Sequence, residues 1–182
     1  MVSLKMRILA DKHIYHLKQL VPPHVELVYY DSSKHLPGLD GFDAWILRTV
    51  TRVNPKTVPA LPKKLKFIGS ASSGTDHIDK EYLNDLGIRF DHSPGCNANA
   101  VAEYALTSML TWCSVKHRGL TDYKVGIVGM GHTGGALAKK LEAIGVPYAG
   151  YDPPKALREK SFKSCNLDTL NECRILSFHL PY

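Results

Sequence analysis

One stretch, from Lys124 to Asp152, constrains the fold of this chain more than any other. An apolar run at 125–128 leads into the letters GMGHTG at 129–134, a helical pattern, a second apolar run and an acidic residue. This order of strand, glycines, helix, strand and acid is the fingerprint of a βαβ unit that binds a dinucleotide. A lone glycine motif would be a weak signal, but here the context on both sides agrees with it.

Each glycine of the motif has a predicted role. Gly129 allows a tight turn, Gly131 lets a pyrophosphate approach the backbone, and Gly134 lets the helix pack close to the sheet. The first turn of the helix offers unpaired N–H groups to the phosphates. The three glycines are therefore candidate cofactor-binding residues.

The helix after the glycines is predicted to pack on the sheet, because Leu137, Leu141 and Ile144 recur at helical spacing. Asp152 follows the second predicted strand, where a carboxylate takes both ribose hydroxyls of the adenosine. Its charge would repel a 2′-phosphate. The predicted cofactor is therefore NAD rather than NADP.

A purely structural interpretation of the same residues remains open. Gly134 and Gly135 would then only close-pack a strand-to-helix turn, and Asp152 would cap the turn at Pro153 and Pro154. The dinucleotide interpretation is favoured because strand, glycines, helix and acid all fall in register.

Composition is ordinary for a soluble globular protein, with 44% hydrophobic and 22% charged residues. The formal net charge is +6, but the basic residues are scattered and form no stripe that indicates a nucleic-acid partner. A small anionic substrate and an anionic cofactor explain the charge equally well. No apolar run reaches membrane-spanning length, and the cysteines have no metal-like spacing. We expect a cytoplasmic protein without a membrane partner or a metal site.

The first half of the chain alternates strand and helix patterns, which is typical of an α/β fold with a parallel sheet. Strands are predicted at 7–11, 25–30, 44–47, 65–69 and 88–90, and helices at 12–20 and 80–86. Open α/β sheets bind ligands beyond the carboxyl ends of their strands. Arg48, directly after the third strand, is therefore a candidate for the substrate phosphate, and equally well a solvated strand end.

A loop rich in small hydroxyl residues and glycine follows the fourth strand, at 70–79. Its backbone N–H groups around Ser72, Ser73 and Gly74 are able to hold a carboxylate or a phosphate. Asp79 is expected to cap the next helix. A capped strand-to-helix loop with no ligand explains the same pattern, and the two interpretations stay open.

The second half begins with a helical, largely apolar pattern at 98–115. A helix that is apolar on most sides is expected to be buried, here between two domains. After Asp152, a short helix is predicted at 167–173 and a third parallel strand at 174–178. The predicted domains are residues 1–97 and 98–182.

The sequence resembles the D-isomer-specific 2-hydroxyacid dehydrogenase family, and within it the erythronate-4-phosphate dehydrogenase branch. The resemblance covers nearly all of the chain. It is carried by RTVTRVN at 48–54, GTDHID at 74–79, PGCNA at 94–98, VAEY at 101–104 and DPP at 152–154. The PGCNA and DPP stretches favour that branch over its relatives.

The resemblance implies a flavodoxin-like substrate domain, residues 1–97, followed by the first half of a Rossmann NAD-binding domain that begins with an interdomain helix. It implies that Thr49 and Ser72 grip the substrate, with the N–H groups around Ser73 and Gly74 at its carboxylate. Half a nucleotide domain also suggests that the strand at 125–128 is an unpaired edge, which recruits a partner strand or aggregates.

The resemblance further implies that NAD lies along His132 and Thr133, with Asp152 on the adenosine ribose. The end of the last strand, His179, Leu180 and Pro181, would pass close to the cofactor. Leu180 stands where the family member compared has threonine. Loss of that hydroxyl contact would weaken cofactor binding by about 1 kcal/mol.

The implied reaction is NAD-dependent oxidation of 4-phospho-D-erythronate to the 2-oxo acid, in pyridoxal phosphate (vitamin B6) biosynthesis, by a full-length homodimer. The family's catalytic arginine, glutamate and histidine lie beyond the strand that ends at His179, so no residue of this chain is predicted to be catalytic. We expect a truncated portion that is inactive alone. The alternatives are another 2-hydroxyacid dehydrogenase, of the phosphoglycerate or glyoxylate type, and a non-catalytic NAD-binding or interaction module.

Overall fold

The computed structural model describes residues 5–180 of the chain. The chain divides into two units, Met1–Pro94 and Gly95–Tyr182, and each unit has its own parallel sheet. The α/β class predicted from the sequence is confirmed. The roles assigned to residues 1–97 and 98–182 stay predictions.

The first unit is built on a five-stranded parallel sheet. Its strands are Arg7–Asp11 (β1), Glu26–Tyr30 (β2), Ala44–Leu47 (β3), Phe67–Ser70 (β4) and Arg89–His92 (β5), and its helices are Leu17–Leu20 (α1) and Lys80–Asp85 (α2). The strands lie in the order β2-β1-β3-β4-β5. The central strands carry the core, in which Leu9, Trp45 and Ile68 are fully buried. Because all strands run the same way, the residues that follow them share one edge of the sheet.

The helix predicted at 12–20 is mostly absent, and only Leu17–Leu20 is helical. Two local features prevent it. The Asp11 side chain accepts a hydrogen bond from the backbone N–H of His13 at 2.9 Å, a turn that competes with helix formation. His16 has a positive φ of 62°, which breaks the helical path directly before α1.

The capped helix predicted after the fourth strand is confirmed as α2. Asp79 is its N-cap, and the carboxylate accepts a hydrogen bond from the Tyr82 N–H at 3.0 Å. Gly87, with φ of +64°, follows the end of the helix in the left-handed conformation that glycine adopts readily. The loop between β4 and α2 is therefore fixed at both ends.

The second unit has a three-stranded parallel sheet. Its elements are Ala98–Val115 (α3), Val125–Val128 (β6), His132–Ala143 (α4), Tyr148–Tyr151 (β7), Pro153–Arg158 (α5), Leu167–Asn171 (α6) and Ile175–Phe178 (β8). The strands lie in the order β7-β6-β8. The βαβ unit predicted from the glycine motif is present as β6, α4 and β7.

The prediction that the strand at 125–128 is an unpaired edge is wrong. β6 lies in the middle of the sheet, because β8 pairs with it on the side opposite β7, in the register Val128↔Phe178. All four residues of β6 are buried. Within residues 5–180, β7 and β8 are the edge strands, and Phe178 on β8 is exposed.

The two long helices of this unit bury narrower faces than the sequence suggests. Leu137 and Leu141 of α4 are fully buried, but Ile144 is 46% exposed, because it is the C-cap residue beyond the last turn. That part of the prediction is wrong. On α3, Met109 is buried while Tyr104 is exposed, and the predicted place of α3 between two domains stays a prediction.

Candidate functional site

The second unit has a point at which the order of its strands reverses. The chain passes from β6 outward to β7 and then returns to the other side of β6 as β8. Open parallel sheets bind ligands in the crevice at such a switch point, outside the carboxyl ends of the strands. The N–H of His179 donates to the carbonyl of Val128 at 2.8 Å, and a Cβ on Gly129 would lie 2.6 Å from the His179 carbonyl oxygen. The ends of β6 and β8 therefore meet at the glycine loop.

The three motif glycines have different surroundings. Gly129 has φ of +89°, a conformation that favours glycine. A Cβ on Gly131 would meet nothing within 4 Å, so this residue faces open space. A Cβ on Gly134 would overlap the carbonyl oxygen of Gly129, so α4 approaches the loop as closely as only glycine permits.

The start of α4 carries a row of unsatisfied donors. The backbone N–H groups of Gly131, His132 and Thr133 donate to no acceptor within residues 5–180. Such a helix start attracts an anion through both its donors and its dipole. The His132 ring lies against Gly95, where a Cβ would be 2.7 Å from the ring.

Asp152 braces the glycine loop. Its Oδ2 accepts a hydrogen bond from the Met130 N–H at 2.9 Å, and its Oδ1 accepts one from the Lys155 N–H at 2.9 Å. The Lys155 ammonium group donates to the Met130 carbonyl at 2.8 Å. The capping role that the sequence left as an alternative is therefore present. The ribose role stays a prediction, for which each carboxylate oxygen retains further lone-pair capacity.

The strand end after β8 borders this loop. The His179 ring contacts its own strand, with Nε2 3.0 Å from the Ser177 hydroxyl, and burial lowers the pKa of His179. Leu180 is 59% exposed, and its side chain lies beside Gly129. Pro181, also predicted to lie near the cofactor, is outside the described residues.

In the first unit, the candidate substrate residues follow β3 and β4, whose ends are aligned by the pairing Leu47↔Ser70. Arg48 is half-buried and Thr49 is exposed. Within the described part of the chain, neither side chain makes a hydrogen bond or an ion pair. The Arg48 guanidinium therefore keeps its donors for solvent or a ligand.

The loop after β4 is ordered by its own hydroxyl groups. The Ser72 hydroxyl donates to the Gly74 carbonyl at 2.7 Å and lies 2.7 Å from the Ser70 hydroxyl, which is 2.8 Å from His77 Nε2. Burial lowers the pKa of His77, so its neutral form is favoured in this network. Ser72 is only 7% exposed, and its hydroxyl shapes the loop.

The outer side of the same loop offers backbone donors. Gly74 is exposed, and its N–H and that of Ser72 donate to no acceptor within residues 5–180. Ser73 lies between them and is half-buried. The structure thus combines the two open interpretations, because the loop is capped and still presents unused N–H groups to an anion.

The chain is similar to known proteins. Residues 4–174 match the family described as D-isomer specific 2-hydroxyacid dehydrogenase, catalytic domain. The chain belongs to the D-isomer specific 2-hydroxyacid dehydrogenase family. In this family, erythronate-4-phosphate dehydrogenases of Psychromonas ingrahamii and Cronobacter sakazakii are 37% and 40% identical to 97% of this chain. The matched regions are 46% and 47% of those proteins, so the chain spans about half the length of these curated relatives.

Solved structures of 2-hydroxyacid dehydrogenases share the fold. The NAD+-bound 3-phosphoglycerate dehydrogenase of Entamoeba histolytica has a TM-score of 0.72 at 24% identity, over 98% of this chain and 63% of that one. The D-lactate dehydrogenase of Aquifex aeolicus, complexed with NAD and lactic acid, has a TM-score of 0.75 at 24% identity, over 96% and 61%. At this identity the likeness shows the fold alone.

Neither a metal-binding cluster nor a membrane-spanning helix is present in residues 5–180. Within residues 5–180, no group of three or more histidine, cysteine, aspartate or glutamate residues could hold a metal ion. None of the helices in the described part of the chain is long and apolar enough to cross a membrane.

Sequence reasoning missed Asp11, at the carboxyl end of β1. This residue is fully buried, and its Oδ1 accepts hydrogen bonds from the His13 N–H at 2.9 Å and from His13 Nδ1 at 3.0 Å. Burial acts to raise the pKa of Asp11, but the bonds from His13, the nearby Ser32 hydroxyl and the charge of Arg48 together lower it. An acidic residue directly after an apolar strand is the signal that points to it.

Proposed function

We propose that this chain forms the substrate unit and the first half of the nucleotide unit of an NAD-dependent dehydrogenase that oxidises the 2-hydroxyl of 4-phospho-D-erythronate. The observation that carries the proposal is the row of unsatisfied N–H groups from Gly131 to Thr133 at the switch point, where a Cβ on Gly131 would meet nothing within 4 Å. Family membership and the similarity to erythronate-4-phosphate dehydrogenases support the reaction class and the substrate.

The proposed cofactor position follows from the glycine loop. The pyrophosphate of NAD binds the N–H groups of His132 and Thr133 over Gly131, and the adenosine ribose binds Asp152. The strand end at 179–181 borders the cofactor. When bound, NAD supplies the acceptor for the hydride released from C2 of the substrate. The residues of this chain bind and orient the cofactor, and the acid at the end of β7 selects against a 2′-phosphate.

The proposed substrate position lies at the carboxyl ends of β3 and β4. Arg48 and Thr49 contact the polar chain of the substrate, and the N–H groups around Ser72, Ser73 and Gly74 hold its carboxylate. The N–H groups of Ser72 and Gly74 donate to no acceptor within residues 5–180, which supports the assignment. The hydroxyl of Ser72 contributes by fixing the loop that presents those donors.

Oxidation of an alcohol also needs a group that accepts the hydroxyl proton. No residue of this chain is assigned that role, and we propose that the chain alone binds ligands without turnover. In the proposed full-length enzyme the acid/base group comes from further sequence, the protein is a cytoplasmic homodimer, and the product enters pyridoxal phosphate biosynthesis.

The test uses two glycines at the start of α4, Gly131 and Gly135. Gly131→Ala places a methyl group in open space, so the fold is expected to stay intact while NAD affinity falls about tenfold or more, because the methyl group occupies the pyrophosphate position. Gly135→Ala is the matched control, because its new Cβ meets only the Met130 carbonyl at 4.0 Å. Isothermal titration with NAD measures both variants. Equal NAD affinity of Gly131→Ala and the unaltered chain would contradict the proposed cofactor position.

Substrate class is tested by turnover. NADH formation is measured with 4-phospho-D-erythronate, 3-phosphoglycerate and glyoxylate, for the 182-residue chain and for any longer natural form. We expect no turnover by the 182-residue chain and a preference for 4-phospho-D-erythronate in the longer form. Preference for 3-phosphoglycerate or glyoxylate would assign another 2-hydroxyacid dehydrogenase. NAD binding without turnover in every form would favour a non-catalytic module.

A further inference from the structure

A buried carboxylate with an incomplete set of partners lies at the ligand-binding edge of the first unit. Asp11 ends β1 and is fully buried. Its Oδ1 accepts two hydrogen bonds from His13, but its Oδ2 has no hydrogen-bond partner within residues 5–180, although the Ser32 hydroxyl is near. A buried negative charge that is only partly satisfied is costly, and it is stabilised by positive groups close by.

An imidazole and a guanidinium lie at this edge. The His13 ring is held by the carboxylate through Nδ1, and the side chain is 37% exposed. Because Nδ1 is engaged, Nε2 is the nitrogen left for another partner. Arg48 is close enough for its charge to act on Asp11, and its guanidinium makes no hydrogen bond within the described residues.

Sheet register keeps these groups together. β1 and β3 are parallel neighbours with Ala10 beside Ile46, which places Asp11 beside Leu47 and brings the residues after both strands to one place. The turn after β3 is fixed, because the Thr51 N–H donates to the Arg48 carbonyl at 3.0 Å. The side chains of His13 and Arg48 therefore extend from ordered backbone.

The nearby lysine does not compete with His13 and Arg48 for an anion. Lys12, between Asp11 and His13, is paired with Asp31 at 2.7 Å, so it does not compete for an anion at the strand end. The Arg48 guanidinium keeps its N–H donors, and His13 keeps Nε2, for a ligand at this strand end. Arginine and protonated histidine are suited to phosphate, whose oxygens accept several charge-assisted hydrogen bonds.

We propose that His13, oriented by Asp11, and Arg48 bind the phosphate group of the substrate. This inference rests on the proposed function and adds the part of the site that recognises the phosphate end. The carboxylate donors at Gly74 follow β4, two strands from β1, which is about 10 Å away at the usual strand spacing. An extended four-carbon phosphate ester with hydrogen bonds at both ends is within reach of both positions.

The experiment titrates the 182-residue chain with inorganic phosphate, with 4-phospho-D-erythronate and with erythronate, and follows the ring signals of His13 by NMR. His13→Gln and Arg48→Gln are each expected to weaken binding of both phosphate ligands about tenfold. Binding of erythronate should stay unchanged. The controls are His24→Gln and Arg89→Gln, exposed residues at the opposite edge, before β2 and at the start of β5, and they should bind phosphate normally.

Asp11 acts as a positioning residue, so it is tested by a different readout. Asp11→Asn should change the nitrogen chemical shifts of the His13 ring, because Nδ1 loses its charged partner, and should weaken phosphate binding while the chain stays folded. Asp11→Glu, which keeps the charge, should restore part of the binding. Unchanged His13 nitrogen shifts in Asp11→Asn would contradict the positioning role.

The outcomes separate this inference from the proposed function. If NAD binds but inorganic phosphate does not, or if His13→Gln and Arg48→Gln bind phosphate normally, the phosphate site is wrong and the cofactor assignment stands. If phosphate perturbs His13 and NAD does not bind, the site stands and the dehydrogenase assignment is wrong.

Discussion

Replacing Gly134 and Gly135 separately by alanine should change the stability of the second unit in opposite directions. Both residues lie in the first turns of α4, so both substitutions remove the backbone freedom of glycine in a helix. That change alone stabilises a helix by about 0.5–1 kcal/mol. The two positions differ only in what the new methyl group meets.

At Gly135 the nearest atom to the new Cβ is the Met130 carbonyl oxygen at 4.0 Å, an ordinary contact, so the helix gain remains. At Gly134 the Cβ would overlap the carbonyl oxygen of Gly129. That loop cannot shift easily, because the Gly129 N–H is bonded to the Tyr151 carbonyl at 2.9 Å. Overpacking of this kind costs about 1–3 kcal/mol, which exceeds the helix gain.

We therefore expect Gly135→Ala to be about 0.5–1 kcal/mol more stable than the unaltered chain and Gly134→Ala about 1–2 kcal/mol less stable. For a domain of this size, each kcal/mol moves the melting temperature by about 4–8 °C. Denaturant unfolding followed by Trp112 emission reports on the second unit, since the other tryptophan, Trp45, is in the first. Equal stability of the two variants would refute the close packing of α4 on the glycine loop.

Three further predictions concern the cofactor loop and the pH response. Asp152→Asn should lower the unfolding free energy of the second unit by about 1 kcal/mol and reduce the preference for NAD over NADP. Titration with both nucleotides measures that preference. An unchanged preference would contradict the ribose role. Leu180→Thr should tighten NAD binding about fivefold, since a hydroxyl contact contributes about 1 kcal/mol. Calorimetry measures the NAD affinity of this variant, with Leu180→Ala as the control. An NAD affinity that does not rise would argue against a nearby cofactor. Burial lowers the pKa of His77, so the unfolded chain takes up a proton at higher pH than the folded chain does. The unfolding free energy of the first unit should therefore fall as pH drops below about 6.5, and His77→Gln should reduce that slope in urea titrations; an equal slope would rule out this histidine.

Sequence predicted the βαβ unit well because its signals are local. Apolar strands, glycines and a helical repeat lie within one continuous stretch, and each acts on its own neighbourhood. The same holds for α2, where Asp79 and Gly87 mark the two ends. Local capping and turn chemistry suffice to place such elements.

The sequence predictions fail where the position or exposure of a residue depends on distant parts of the chain. The central position of β6 depends on which side β8 takes after the crossover, and nothing in the residues of β6 specifies that side. Ile144 fits the helical repeat but lies past the last turn of α4. Asp11 escaped notice because buried carboxylates are rare, and only the assembled strand end shows that it holds His13.

The order β7-β6-β8 also has a kinetic meaning. Val125 pairs with Tyr148 through a short crossover and with Ile175 only after a much longer loop has closed. Closing the longer loop costs more chain entropy, so the second pairing is expected to form later. The wall of the crevice that His179 contributes beside Gly129 exists only once that pairing is made. Nucleotide binding would thus stabilise the complete sheet, because a ligand that binds only the finished crevice also stabilises the pairing of the last strand, β8.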